Sequence, residues 1–171
     1  MIVAEHNIKD IVATIPEIRI NDDISSSPSF HWGDEKELAR YLLAKDEKEV
    51  YPLIWLLPTS DNYKNLGKEL EKSCEFIIAT REISKDMFND KRYINSFDVV
   101  LNPITDRLIH GLKVSTISDI QGLDWEIIKF PNYSKNDKNG TIDLWDALKL
   151  IIKVRFTNNN NCLKPINYGK L

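Results

Sequence analysis

The pattern that most limits what this chain can fold into lies near its C-terminal end. From Leu148 the even positions are apolar (Leu148, Leu150, Ile152, Val154, Phe156), while the odd ones are Lys149, Ile151, Lys153 and Arg155. A period of two marks a strand with one buried and one wet face. Trp145-Asp146-Ala147-Leu148 offers a helical start, but a helix would scatter the apolar residues around its circumference. Nine strand residues span about 30 Å, so the rest of the chain must supply a sheet to receive them. It must also supply solvent or a partner for three cations.

With 171 residues the chain is long enough for one domain with a single core. Its 42% apolar and 29% charged residues match an ordinary soluble globular protein and not a disordered one. A net charge of −3 gives no reason to expect general affinity for nucleic acid, so any DNA contact must come from a local patch. Cys74 and Cys162 are too few for a disulfide framework, which points to a reducing, cytosolic history. The first residues lack the basic start and apolar stretch of a signal peptide, and no run approaches a membrane span.

Ile8, Ile11, Val12 and Ile15 predict a short helix with Asn7 as N-cap, stopped by Pro16. Residues 17–20 alternate like a short strand, and residues 21–30 read as a polar loop reaching away from the domain. Residues 34–45 form the clearest helix, with acids at its start and Leu38, Tyr41, Leu42 and Lys45 on its inner stripe. The run 51–58, apolar and bracketed by prolines, predicts a strand covered on both faces. Residues 61–73 fit a helix or a strand. Cys74–Thr80 is a strand, and 81–94 is a polar connection anchored by Met87, Phe88 and Tyr93. Ser96 caps a helix reaching Leu112, and Pro103 either kinks it or opens a shorter one capped by Asn102. Trp125–Phe130 predicts a strand, and 131–140 a polar excursion ending in the turn signal Asn139-Gly140. These elements predict an α+β domain: a largely antiparallel sheet with helices packed mainly on one face.

Reactive constellations are sparse. His6, His31 and His110 lie in separate segments, none at ligand spacing with a Cys or carboxylate, and His110 reads as structural. The acid pairs Asp22-Asp23 and Asp34-Glu35 are explained by loop solvation and helix N-terminal charge more simply than by a metal. Asp143 and Asp146 flank Trp145 in what reads as the turn leading into the last strand. No Gly-rich phosphate loop or nucleophile elbow is present. No catalytic, cofactor-binding or metal residues are therefore expected. Lys149, Lys153 and Arg155 form the one sharp basic row, about 7 Å between neighbours two apart. It is a solvated outer face, an intersubunit salt-bridge row or a channel wall.

Four segments in this order carry a resemblance: Tyr51–Leu56, Phe76–Thr80, Ser96–Ile104, and Leu144-Trp145-Asp146-Ala147 running into the last strand. Together they resemble the tail-completion or tail-terminator proteins of tailed bacteriophages, most nearly those of phages of gut Bacteroidetes, including the crAss-like phages. The likeness covers about residues 33 to 165 and rests on segment order and hydrophobic phrases. It implies an α+β subunit that is not an enzyme and needs no cofactor. Such subunits form hexameric or dodecameric rings in the virion neck or tail, against portal, adaptor or tail proteins, with genomic DNA passing through the lumen without sequence-specific binding.

On this reading the protein is made in the host cytoplasm, has no membrane contact, and uses the loop at 21–30 and the arm at 157–171 as assembly extensions. Lys149, Lys153 and Arg155 are then the candidates for an assembly or channel-facing surface. Two other readings stand beside it. One is a small metal-dependent phage nuclease using Asp22, Asp23 and Asp34. The other is a DNA-binding accessory protein using the basic row, with steeply salt-dependent binding.

Overall fold

In the computed structural model, residues 2–20, 24–44, 51–81, 89–131, 145–157 and 163–169 are described. The centre is a pair of long antiparallel strands, β6 (Glu69–Arg81) and β8 (Trp145–Thr157), in register over thirteen residues from Glu69↔Thr157 to Arg81↔Trp145. Trp145 and Asp146 thus belong to the strand itself. Asp146, expected in a turn, is fully buried and faces the equally buried Arg92, with Nε and Oδ1 3.7 Å apart. Asp143 lies outside the described residues.

The other elements, in chain order, are α1 (Ala4–Val12), β1 (Ile18–Arg19), β2 (Ser25–Ser26), β3 (Ser29–Trp32), α2 (Glu35–Ala44), β4 (Leu53–Leu57) and β5 (Asp61–Lys64). After β6 come a helical run of α3 (Asn89–Arg92), a π segment (Tyr93–Leu101) and α4 (Asn102–Val114), then β7 (Ser118–Phe130) and β8. The sheet order is β3-β4-β6-β8-β7, with β5 pairing the first half of β6, and every pairing but β3–β4 is antiparallel. The α+β expectation holds.

Even-numbered residues of β6 and β8 point to the main core. There Leu70, Cys74, Phe76, Ile78, Leu148, Leu150, Ile152, Val154 and Phe156 meet α1, the π segment and α4. Each such side chain contributes about 1.5–3 kcal/mol on burial. On the opposite face α2 lays Leu38, Tyr41 and Leu42 over Trp55, Ile77, Ala79, Trp145 and Ala147, and so covers only one end of the sheet. Helices on both faces explain why all of β4 is buried.

Local expectations differ from the structure at several points. Helix α1 starts at Ala4, not after Asn7, and Val3 precedes it without a side-chain cap. Ala4 extends the buried stripe of Ile8, Ile11 and Val12 by a turn, so burial outweighs capping. The 21–30 stretch is not a plain loop: Ser25–Ser26 pairs with Ile18–Arg19, and Ser29 opens the edge strand β3, parallel to β4. Residues 61–73 form two strands joined by Asn65, Leu66 and Gly67, all at positive φ. Leu66, which a helix would have buried, is fully exposed there.

Pro103 occupies the first turn of α4, as one of the two alternatives has it, but α4 opens at Asn102 behind Leu101 and has no side-chain cap. The residues before it wind more widely, with Asn102 N–H reaching back five residues to Phe97 O. That extra room accommodates a ring that would strike the carbonyl four residues back in an ordinary α-helix. Ser96 is buried within the π segment and caps nothing, and Asn102 donates to Asp98 Oδ1 at 3.1 Å. The described part of the C-terminal arm, 163–169, folds onto its own domain and does not extend from it. Tyr168 is buried, and its hydroxyl lies 2.8 Å from Thr14 Oγ1. Lys45, Met87, Phe88, Cys162 and residues 132–140 of the polar excursion lie outside the described residues.

Candidate functional site

Because β6, β7 and β8 are continuous neighbours, the odd residues of β8 share a surface with those of β6, away from the helical core. Lys149, Lys153 and Arg155 do stand in one row there, next to Glu69, Glu71 and Glu75 of β6 and Asp119 and Glu126 of β7. Helix α2 stops short of this half of the sheet. Lys149 Nζ reaches Glu75 diagonally at 2.7 Å, and Arg155 Nη2 lies 3.5 Å from Asp119. Turned with its oxygen toward the guanidinium, the Gln121 amide also accepts from Arg155 Nε and Nη2 at 3.0 and 3.1 Å. Lys64 of β5 pairs with Glu71 at 2.6 Å. Lys153 is exposed, without an ion-pair partner among the described residues.

Partly exposed pairs like these contribute only about 0–1 kcal/mol each to stability. Their electrostatic effect is larger, because two of the three cations in the row are neutralised within the chain. Glu69, Glu71, Glu75, Asp119 and Glu126 surround the three cations, so the surface is a mixed, slightly acidic plate and not a phosphate-attracting one. The acidic half of this plate was legible as the alternation Glu69, Glu71, Ser73, Glu75 once residues 61–73 are taken as strand.

The phase of β7 is the feature the sequence conceals. Between Ile120 and Trp125 this strand advances five residues while β8 advances two, a bulge that contains Gly122 at φ +83°. The odd excess reverses the faces. Before the bulge Ile120 points to the helical core and Asp119 to the plate; after it Trp125, Ile127 and Lys129 take the helical side. The β7 side of that helical face is left largely uncovered, with Trp125 45% and Ile127 41% exposed.

Other polar clusters have structural roles. Lys72 is buried on the helical side of β6, where its ammonium meets Asp61, Thr59 O at 3.2 Å and Glu5 at 3.5 Å. Burial alone would lower its pKa. The hydrogen bond and charge of Asp61, with the charge of Glu5, outweigh this and hold it above the ordinary 10.5. Beside it, burial pushes the Cys74 thiol up to about 12 against the pull of Lys72, so this cysteine is inert.

His31 Nε2 is 2.6 Å from the Tyr41 hydroxyl, next to Trp55, whose indole N–H donates to Gly33 O at 2.8 Å. His110 Nε2 lies 2.9 Å from Asn167 O in the arm, and His6 sits edge-on to Trp32. Asp34 N–H donates to Glu37 Oε2 at 2.9 Å, and Glu37 N–H donates to Asp34 Oδ1 at 2.8 Å, a reciprocal capping box at the start of α2. Asp22 and Asp23 lie outside the described residues. Among those described, no three His, Cys, Asp or Glu side chains converge as a metal site, and no helix is long and apolar enough to cross a membrane. In comparisons with known proteins, no family model matches the chain and no curated protein matches it.

Proposed function

We propose that this protein is a structural virion component: a ring-forming subunit of the phage head-to-tail connector or tail, surrounding the DNA channel and catalysing nothing. The observation that carries the reading is the half-covered sheet. Its helices gather on one face and at one end of the other, leaving a plate of mixed charges over β6, β7 and β8. A plate two of whose three cations are answered within the chain suits two duties of such a subunit. It offers complementary charge to the next copy around a closed ring, and it gives passing DNA no strong hold. The antiparallel sheet flanked by helices agrees with the fold that the resemblance to tail-terminator proteins implies.

The mass of the purified protein, measured by light scattering alone and with a portal-complex fraction, tests this reading. A closed six- or twelve-fold particle, with a central opening wide enough for duplex DNA in electron micrographs, is the expected result. A stable monomer that never enters such particles, alone or with the neck fraction, would overturn it.

A further inference from the structure

Strand β7 closes one edge of the sheet: β8 covers one side of it, and no described strand pairs with the other. After the bulge, Trp125–Phe130 is a regular six-residue edge whose helical-side residues are Trp125, Ile127 and Lys129. Exposed edges are usually guarded by a charge projecting over them. Here the only candidate on that side, Lys129, is folded back, with its ammonium 5.5 Å from the ring centroids of both Tyr93 and Phe97. Tyr93, stacked on Phe97, is itself 37% exposed and widens the apolar strip.

We propose that this edge is the docking site of a second copy of the chain, added antiparallel about a two-fold axis at Ile127, so that two sheets become one. The register follows from symmetry. Two strands related by a two-fold normal to the sheet keep their faces, so facing residues share parity. Centred on Ile127, each Ile127 faces its counterpart, and Trp125 faces Lys129 of the second copy, an indole opposite the methylene stem of a lysine whose ammonium is turned onto Tyr93 and Phe97. On the plate side Glu126 faces Ile128 and Asp124 faces Phe130, so no like charges meet.

Neighbouring registers are worse. Centring on Glu126 sets that carboxylate against itself, and centring on Trp125 sets Asp124 against Glu126, both repulsive. Centring on Ile128 takes the indole away from the lysine and places it opposite Pro131, which has no N–H to donate. The contact is two-fold, whereas the contacts around a ring are head-to-tail, so the two proposals stand or fall separately.

The experiment uses the full chain with Cys162→Ser and a single cysteine placed on the edge. Under mild oxidation Ile127→Cys is expected to give a disulfide-linked dimer, because the two copies of position 127 face each other. Ile128→Cys, opposite Glu126 and on the other side of the sheet, is expected to stay uncrosslinked. In sedimentation equilibrium, Ile127→Lys, which opposes two ammonium groups across the axis, is expected to weaken dimerisation roughly 100-fold or more. An unchanged circular dichroism spectrum shows that this variant still folds. Equal crosslinking at 127 and 128, no crosslinking at either, or an Ile127→Lys protein that dimerises like the parent would each overturn the proposal. Six- or twelve-fold particles lacking the 127 crosslink would defeat it while leaving the ring reading intact.

Discussion

Alkaline instability, centred on Cys74, tests how the core was assembled. The thiol sits on the helical side of β6 with no exposed surface, and burial lifts its pKa from 9.0 to about 12. Between those values the unfolded chain has released the proton and the folded chain has kept it. The folded state therefore binds more protons, and stability falls as pH rises. For an unfolded pKa of 9.0 the loss from this one group is negligible at pH 8 and about 1.4 kcal/mol at pH 10.

With a urea dependence of about 2 kcal/mol per M for a protein of this size, the unfolding midpoint drops by roughly 0.7 M over that interval. Lys72 and Tyr168, raised above 10.5 and 10.0, act in the same direction, but each removes less than about 0.5 kcal/mol by pH 10. The assay is urea unfolding followed by tryptophan fluorescence at pH 8 and pH 10, for the parent and for Cys74→Ala. The variant begins about 1–2 kcal/mol lower because of the cavity, yet its further loss at pH 10 shrinks by about 1.4 kcal/mol. Equal losses for the two proteins would refute the burial argument.

Two further outcomes follow from close contacts. Gly111 lies where α4 crosses α1 and the arm; a Cβ there would come within 2.8 Å of Ile11 Cγ2 and 3.0 Å of the Tyr168 hydroxyl. Gly111→Ala is therefore expected to lower unfolding stability by about 1–2 kcal/mol in urea, although alanine favours a helix by about 1 kcal/mol; a more stable variant would contradict the packing. Asp34→Ala is expected to cost about 1 kcal/mol in the same measurement and Asp34→Asn much less, since the amide oxygen still caps; equal losses would show that the box is not what holds α2 there.

Strands whose pattern is simple could be read directly from their residues. In β8 the alternation starting at Leu148 survives intact, and the short apolar run of β4 is buried on both faces as its composition suggests. Legibility fails where one local signal is overridden by a partner distant in the chain. A lysine within a strand reads as outward-facing; Lys72 points inward because Asp61, on the next strand of the hairpin, comes round to meet it. Nothing in Asp119-Ile120-Gln121-Gly122 announces how many residues the bulge will absorb, so the faces of Trp125 and Ile127 could not be assigned beforehand. The basic row was visible as residues but not as charge, because its neutralising acids stand on β6 and β7.

The part-buried hydroxyl pair at Thr14 and Tyr168 joins segments 154 positions apart, and Gly111 packs against Ile11 and the Tyr168 hydroxyl beside it. A ribosome delivers α1 before the sheet and the tyrosine that meets it only after β8. Until then α1 lacks this contact, and closing so long a loop delays its docking. This layer of the domain thus cannot be finished piecemeal: α1 waits for Tyr168, which follows the last strand of the sheet, and their contact forms only once the strands between them have been made.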